Sequence, residues 1–238
     1  MNCRYHKYLL LFCAFLIFSC SSDKDDSHDQ GIPCETEDID IGIIDLDEES
    51  YDYLPYTGCE VIHYKNEQGD EVYFDTLYNK GFATKIFWRF DIQCESGAKN
   101  NYTFFSDQLN YSFKCDSLEL NFIIGIGTEN VSSQPLFFDE LGMLLAAYST
   151  DNRLDTIIKM DIVASFKGNE VEIEEELTRS IKYEYYEEVV LLGKSFKNVY
   201  HRNRPAENLL TDLYYNKEFG IFAFRDLDDV LWVFDRFE

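Results

Sequence analysis

Cys59 and His63 stand four residues apart. On an extended strand that spacing puts both side chains on one face, where a thiolate and a base could pair. The competing role for Cys59 is structural, because Cys34, Cys59, Cys94 and Cys115 form an even set that oxidation would pair. Of the three pairings, Cys34 with Cys59 and Cys94 with Cys115 are favoured, since each closes a short local loop worth about 3 kcal/mol. Zinc is the rival for these thiols, but there is no C-x-x-C, and His63 and His201 are the histidines of the strand-rich region. Glu172, Glu174 and Glu176 share a strand face and could form an acidic pair across a groove; the plainer reading is a solvated face opposite Val171, Ile173 and Leu177. Gly125-Ile126-Gly127 lacks the third glycine of a dinucleotide fingerprint, and there is no G-x-S-x-G, H-E-x-x-H or P-loop. No catalytic residue, metal ligand or cofactor is therefore assigned. Trp88 and Trp232 could offer flat platforms for a weakly held ligand such as a sugar, although each follows the apolar side of its strand and so competes with core packing.

The elements that must position these side chains are strands. Aromatics reach 16%, with 20 Phe and 17 Tyr against 4 Pro, a composition suited to pleated sheet. Residues 57–64 and 71–75 flank a turn through Gly69, while Phe82, Thr84, Ile86, Trp88 and Phe90 share one face of a long strand. Residues 102–105 and 109–114 read as a second hairpin about Ser106-Asp107-Gln108, and Leu118, Leu120, Phe122, Ile124 and Ile126 line the next strand. In 135–148 the apolar content would suit a buried helix, while Asp139-Glu140-Leu141-Gly142 predicts a type I turn between two strands, the favoured reading. Residues 156–166 and 171–177 flank a loop at 167–170, alternation resumes near Tyr183 and Tyr185, and 202–212 reads as a loop. A terminal ribbon over 213–234 turns at Asp226-Leu227-Asp228-Asp229. With no long amphipathic helix, no βαβ alternation and no repeat, the sequence predicts an all-β protein: a single antiparallel domain over residues 51–238, built as a strongly curved sheet, an incomplete barrel or a two-sheet sandwich.

Ahead of it, residues 21–50 hold twelve acidic residues and one base, Lys24. As far as Pro33 this is an extended tether of roughly 40 Å maximum reach, and Ile39, Ile41 and Ile43 suggest an acidic edge strand. No EF-hand spacing supports calcium. Residues 1–19 carry Arg4 and Lys7 and then an apolar run, LLLFCAFLIF, about half the length that spans a bilayer, as in a signal peptide. Ile17-Phe18-Ser19-Cys20 resembles the lipobox of bacterial lipoproteins, which implies that Cys20 becomes the first residue, diacylglycerol on its thiol and an acyl chain such as palmitate on its amine. Two such signals make membrane attachment stable. Ser21-Ser22-Asp23-Lys24-Asp25-Asp26 resembles the export signal of Bacteroidota surface lipoproteins. The expected address is the outer membrane, lipid-anchored, on its periplasmic or cell-surface face, with residues 20–50 as lipidated tether. Losing residues 1–19 removes two bases and no acid, so net charge −24 becomes −26, which argues against a nucleic acid partner.

Tyr53-Leu54-Pro55-Tyr56-Thr57-Gly58, the Gly69 hairpin and the run from Tyr214-Tyr215 through Lys217-Glu218-Phe219-Gly220 to Phe224 together resemble an uncharacterised family of Bacteroidota lipoproteins. That resemblance covers about a fifth of the mature chain and implies no chemistry. Asp75-Thr76-Leu77, Asp116-Ser117-Leu118 and Asp155-Thr156-Ile157 resemble the O-glycosylation acceptor motif of the same bacteria, with Thr76, Ser117 and Thr156 as acceptors. The function expected is a lipid-anchored, non-enzymatic binding or accessory module whose partners are the membrane, through its lipid, and an envelope protein or glycan. The alternatives are a lipid or lipoprotein carrier with an incomplete barrel, marked by an apolar cavity, and a hydrolytic enzyme, marked by a pocket gathering His63 or His201 with carboxylates.

Overall fold

The structure, a computed structural model, describes residues 38–77, 82–93, 99–131, 136–148, 154–168, 183–206 and 209–238. Thirteen strands and one 3-10 helix (Glu48–Tyr53) follow in order: β1 Asp38–Ile44, β2 Val61–Lys65, β3 Glu71–Thr76, β4 Phe82–Gln93, β5 Lys99–Cys115, β6 Leu120–Asn130, β7 Phe137–Tyr148, β8 Leu154–Lys167, β9 Glu184–Leu191, β10 Lys194–Ala206, β11 Leu209–Asn216, β12 Gly220–Arg225 and β13 Leu231–Phe237. Eleven of them lie side by side as β8-β7-β6-β5-β3-β2-β13-β12-β11-β10-β9, curled into a half-barrel. Among the described strands all pairings are antiparallel except one: β1 runs parallel to β5. The all-β prediction holds, in its curved-sheet form.

The 17-residue β5 organises the sheet. Along one side it pairs first with β4 and then with β3; along the other, first with β1 and then with β6. Ser106-Asp107-Gln108 is therefore not a turn. Its backbone is taken up by Ile86, Lys85 and Thr84, so three polar residues continue the strand. β7 is likewise continuous where a turn was expected. Gly142 pairs with Gly125 in mid-ladder, and the buried Asp139 has its charge satisfied within the sheet. The loop expected over 202–212 is mostly strand, β10 reaching Ala206 and β11 starting at Leu209. The folded part also begins earlier than residue 51, because β1 and the 3-10 helix belong to it.

Alternation sends one face of the strands into an aromatic core. Phe74 stacks on Phe122 at 4.1 Å, and Phe224 and Tyr64 meet them edge-on at 5.0–5.9 Å. Each of these rings is at most 1% exposed, and full burial of a phenylalanine stabilises by about 2–3 kcal/mol. Leu46, Tyr53, Leu54 and Tyr56 pack from the N-terminal stretch into the same core. A polar clasp ties that stretch down. Asp139, 0% exposed, accepts from Asp47 N (2.8 Å), Ser50 Oγ (2.7 Å) and Thr128 Oγ1 (2.9 Å), with Lys167 Nζ at 3.1 Å. Lys167 also reaches Asp47 (3.0 Å), and Ser165 donates to Asp47 and Glu49.

Candidate functional site

Tyrosines at corresponding registers of β9, β10 and β11 stand directly opposite one another: Tyr185 faces Tyr200, and Tyr200 faces Tyr215. Their rings are 5.4 and 6.1 Å apart, a ladder of cross-strand aromatics. Lys197 pairs with Glu188 and Val199 with Tyr186, so Asn198 lies between them in an unbroken register. Its φ is 51°, a left-handed conformation that asparagine tolerates better than most residues. The Asn198 amide oxygen accepts from the Tyr185 hydroxyl at 2.9 Å. Asn216, the last residue of β11, donates to the Lys197 carbonyl (3.2 Å) and accepts from the Phe219 amide (2.9 Å), which ties the turn after β11 to β10.

Tyr53 closes the far side. Its carbonyl accepts from the Tyr215 hydroxyl, and the Lys217 ammonium lies 3.5 Å from its ring centre, a cation–π contact. Between these groups is a cleft of about 490 Å³ lined by Tyr53, Tyr185, Tyr200, Lys197, Lys217 and Glu218, with both asparagines. Tyr185 is 51% exposed and so presents its ring to solvent. Burial, with Tyr53 beside it, pushes the Tyr200 phenol up to about 12, so at neutral pH it keeps its proton and can donate. Flat rings, amides and two ammonium groups suit binding. Glu218 is the one carboxylate among the described residues of the lining.

Two stretches distant in sequence meet here. Tyr56, from the Tyr53-to-Gly58 run, accepts from the Ile221 amide at 2.8 Å, and its hydroxyl lies over Gly220. Tyr53 and residues 216–218, from the same two stretches, line the cleft.

The residues singled out from sequence fall as follows. Cys20, Cys34 and Cys94, and the Glu172, Glu174 and Glu176 face, lie outside the described residues, as does the Trp88 side chain. Cys115 is a free, buried thiol, which overturns its pairing with Cys94. Instead the Cys115 sulfur sits 3.3 Å from Ser117 Oγ. Cys59 is disulfide-bonded, to a partner outside the described residues, so it is no nucleophile for His63.

His63 is held between Glu71 (2.7 Å), Glu238 (3.0 Å) and Arg236 (3.2 Å). His201 bonds Asp212 at 3.0 Å, with Arg225 on the other Asp212 oxygen at 2.7 Å, and Tyr214 stacked on its ring at 4.3 Å. Neither ring lines the cleft, and among the described residues neither meets a hydroxyl or thiol, so both are parts of ion-pair networks. Trp232, 5% exposed, is core; its indole donates to Asp226 Oδ2 at 2.7 Å, and it offers no platform to a ligand. Thr76 donates to the Glu60 carbonyl, while Ser117 and Thr156 are exposed. Among the described residues no helix is long and apolar enough to cross a membrane, and no cluster of three or more His, Cys, Asp or Glu could hold a metal.

Fold and cleft together define an all-β half-barrel with a packed interior and an open, tyrosine-lined cleft. No family model matches the chain, and neither does any curated protein.

Proposed function

We propose that this protein is a lipid-anchored, non-enzymatic binding module of the outer membrane or cell surface, held by Cys20 and presenting the tyrosine cleft to an envelope ligand. The observation that carries the reading is the combination of a filled interior with an open aromatic cleft. Tyr64, Phe74, Phe122 and Phe224 occupy the space that an acyl carrier would need for its cargo, whereas Tyr185 offers an exposed ring in a cleft that also holds two ammonium groups. Two of the three stretches that carry the resemblance to Bacteroidota lipoproteins, those holding Tyr53 and Lys217, also complete the cleft, which supports a role for it. A self-repelling acidic tether behind a lipid holds the domain off its membrane while keeping it within the envelope, in keeping with a ligand there.

The test has two arms. Cells making the protein are labelled with a palmitate analogue, and wild type is expected to take up label that Cys20→Ala does not. Purified protein is then passed over immobilised envelope polysaccharide, where wild type is expected to be retained and Tyr185→Ala to elute early. Label on Cys20→Ala defeats the anchor, and equal retention of the two proteins defeats the cleft.

A further inference from the structure

We infer that the cleft takes an acidic carbohydrate, a sugar chain bearing carboxylate or sulfate groups; this rests on the binding-module reading above. In a chain of 45 acidic and 21 basic residues, ammonium groups are expected to be taken up by carboxylates. Lys65, Lys114, Lys159, Lys167 and Lys194 are all so paired. Lys197 and Lys217, the two that line the cleft, pair with no carboxylate among the described residues. Glu188, opposite Lys197 in the register, instead accepts from Ser195. Lys217 lies over the Tyr53 ring, leaving its remaining hydrogen-bond donors for a ligand.

Two unpaired cations at the rim of an aromatic cleft favour an anion that also has a flat apolar face. A pyranose with an acidic substituent has both: its C–H face can lie on Tyr185, and its charge can reach the lysines. A hydroxyl of the ring can then accept from the Asn198 amide nitrogen, the amide oxygen being taken by Tyr185. Glu218 opposes this, but as a single exposed carboxylate against two cations. The wider negative charge of the molecule is screened at physiological salt, where fields between exposed groups fade over about 8 Å, so the cleft's own charges decide.

The test uses the full chain in detergent, titrated by calorimetry at 0.15 M salt. The probes are tetragalacturonate and its methyl ester, sulfated and unsulfated dextran oligosaccharides, and hexaglutamate. Exposed ion pairs are individually weak, and two together are expected to give the better acidic sugar about a tenfold preference over its neutral partner, equivalent to about 1.4 kcal/mol. The galacturonate and dextran arms separate carboxylate from sulfate. Lys197→Met combined with Lys217→Met should abolish the preference, and Tyr185→Ala should weaken acidic and neutral sugars alike. Lys194→Met, whose ammonium pairs with Asp235 away from the cleft, should change nothing. Equal binding of neutral sugars, equal binding of hexaglutamate, binding of none of the probes, or indifference to the double substitution would each overturn the inference. Preference for neutral sugars with a Tyr185 dependence overturns the acidic class alone and leaves the module standing.

Discussion

Replacing Asp139 by alanine is expected to be among the most damaging single changes in the described fold. The carboxylate is 0% exposed and accepts three hydrogen bonds, from Asp47 N, Ser50 Oγ and Thr128 Oγ1. Hydrogen bonds to a charged group are worth about 1.5–3 kcal/mol each. Their simple sum overstates the loss, because Lys167 keeps Asp47 at 3.0 Å and the Asp45 carbonyl at 2.7 Å. Ser50 and Thr128, both fully buried, lose that acceptor inside the protein. Breaking a buried pair in this way typically costs about 3–5 kcal/mol. With a urea slope of about 2 kcal/mol per molar, the unfolding midpoint should fall by about 1.5–2.5 M. Asp139→Asn keeps an acceptor and loses the charge, so it should lie about halfway. The 3-10 helix should also become sensitive to protease in Asp139→Ala. A midpoint within about 0.3 M of wild type, at unchanged slope, refutes the clasp.

Other outcomes can be checked as directly. Burial, with Asp161 and Glu129 nearby, pushes the Glu140 carboxyl up to about 7 from 4.5, so the fold holds a proton that the unfolded chain releases. Stability should thus be greatest below about pH 4.5 as far as this group is concerned, and decline as pH rises through 7. Glu140→Gln should remove that slope and stabilise the protein at pH 8 by about 1–3 kcal/mol, read from urea midpoints across pH. Gly220 has φ +72°, and an added Cβ would meet Tyr56 Oη at 2.0 Å, so Gly220→Ala should cost about 2–4 kcal/mol. Gly220→Ala combined with Tyr56→Phe should recover only part of this, because the backbone strain remains. Peptide mapping under non-reducing conditions should find Cys59 linked to Cys34 and Cys115 alkylated only after unfolding; a Cys94–Cys115 peptide contradicts the structure.

Much of the strand content was legible because alternation is a local signal. Leu120, Phe122, Ile124 and Ile126 declare a buried face whatever lies beside them, and they are indeed core. The turns misread inside β5 and β7 were the price of reading locally. Polar residues such as Ser106 and Asp139 look like breaks until β4 or Ser50 is known to stand across from them, and nothing near them in sequence says so. The parallel pairing of β1 depends on the same kind of distant partner. The last turn was readable in part: with no glycine available, Asp229 takes the left-handed position at φ 62°, and Asp226 accepts from the amides of Asp228 and Val230. The cleft was missed, since attention went to tryptophans that alternation places in the core. Its signal was present in the tyrosines at 185, 200 and 215, whose alignment needs two strand registers that no periodicity reveals.

β1 is the first described strand after the proposed anchor, and it is lightly held. It spans seven residues, pairs only with β5 among the described strands, and leaves Ile43 59% exposed. With Cys20 fixed in a leaflet and a ligand gripped at the other end, tension would peel β1 away while the aromatic interior stayed shut. Its release would lengthen the leash by about 20 Å, and the Asp47–Asp139–Lys167 contacts would set where unravelling halts. Pulled from its N-terminus in an optical trap, the molecule should show a small early step of that size, one that vanishes when β1 is deleted.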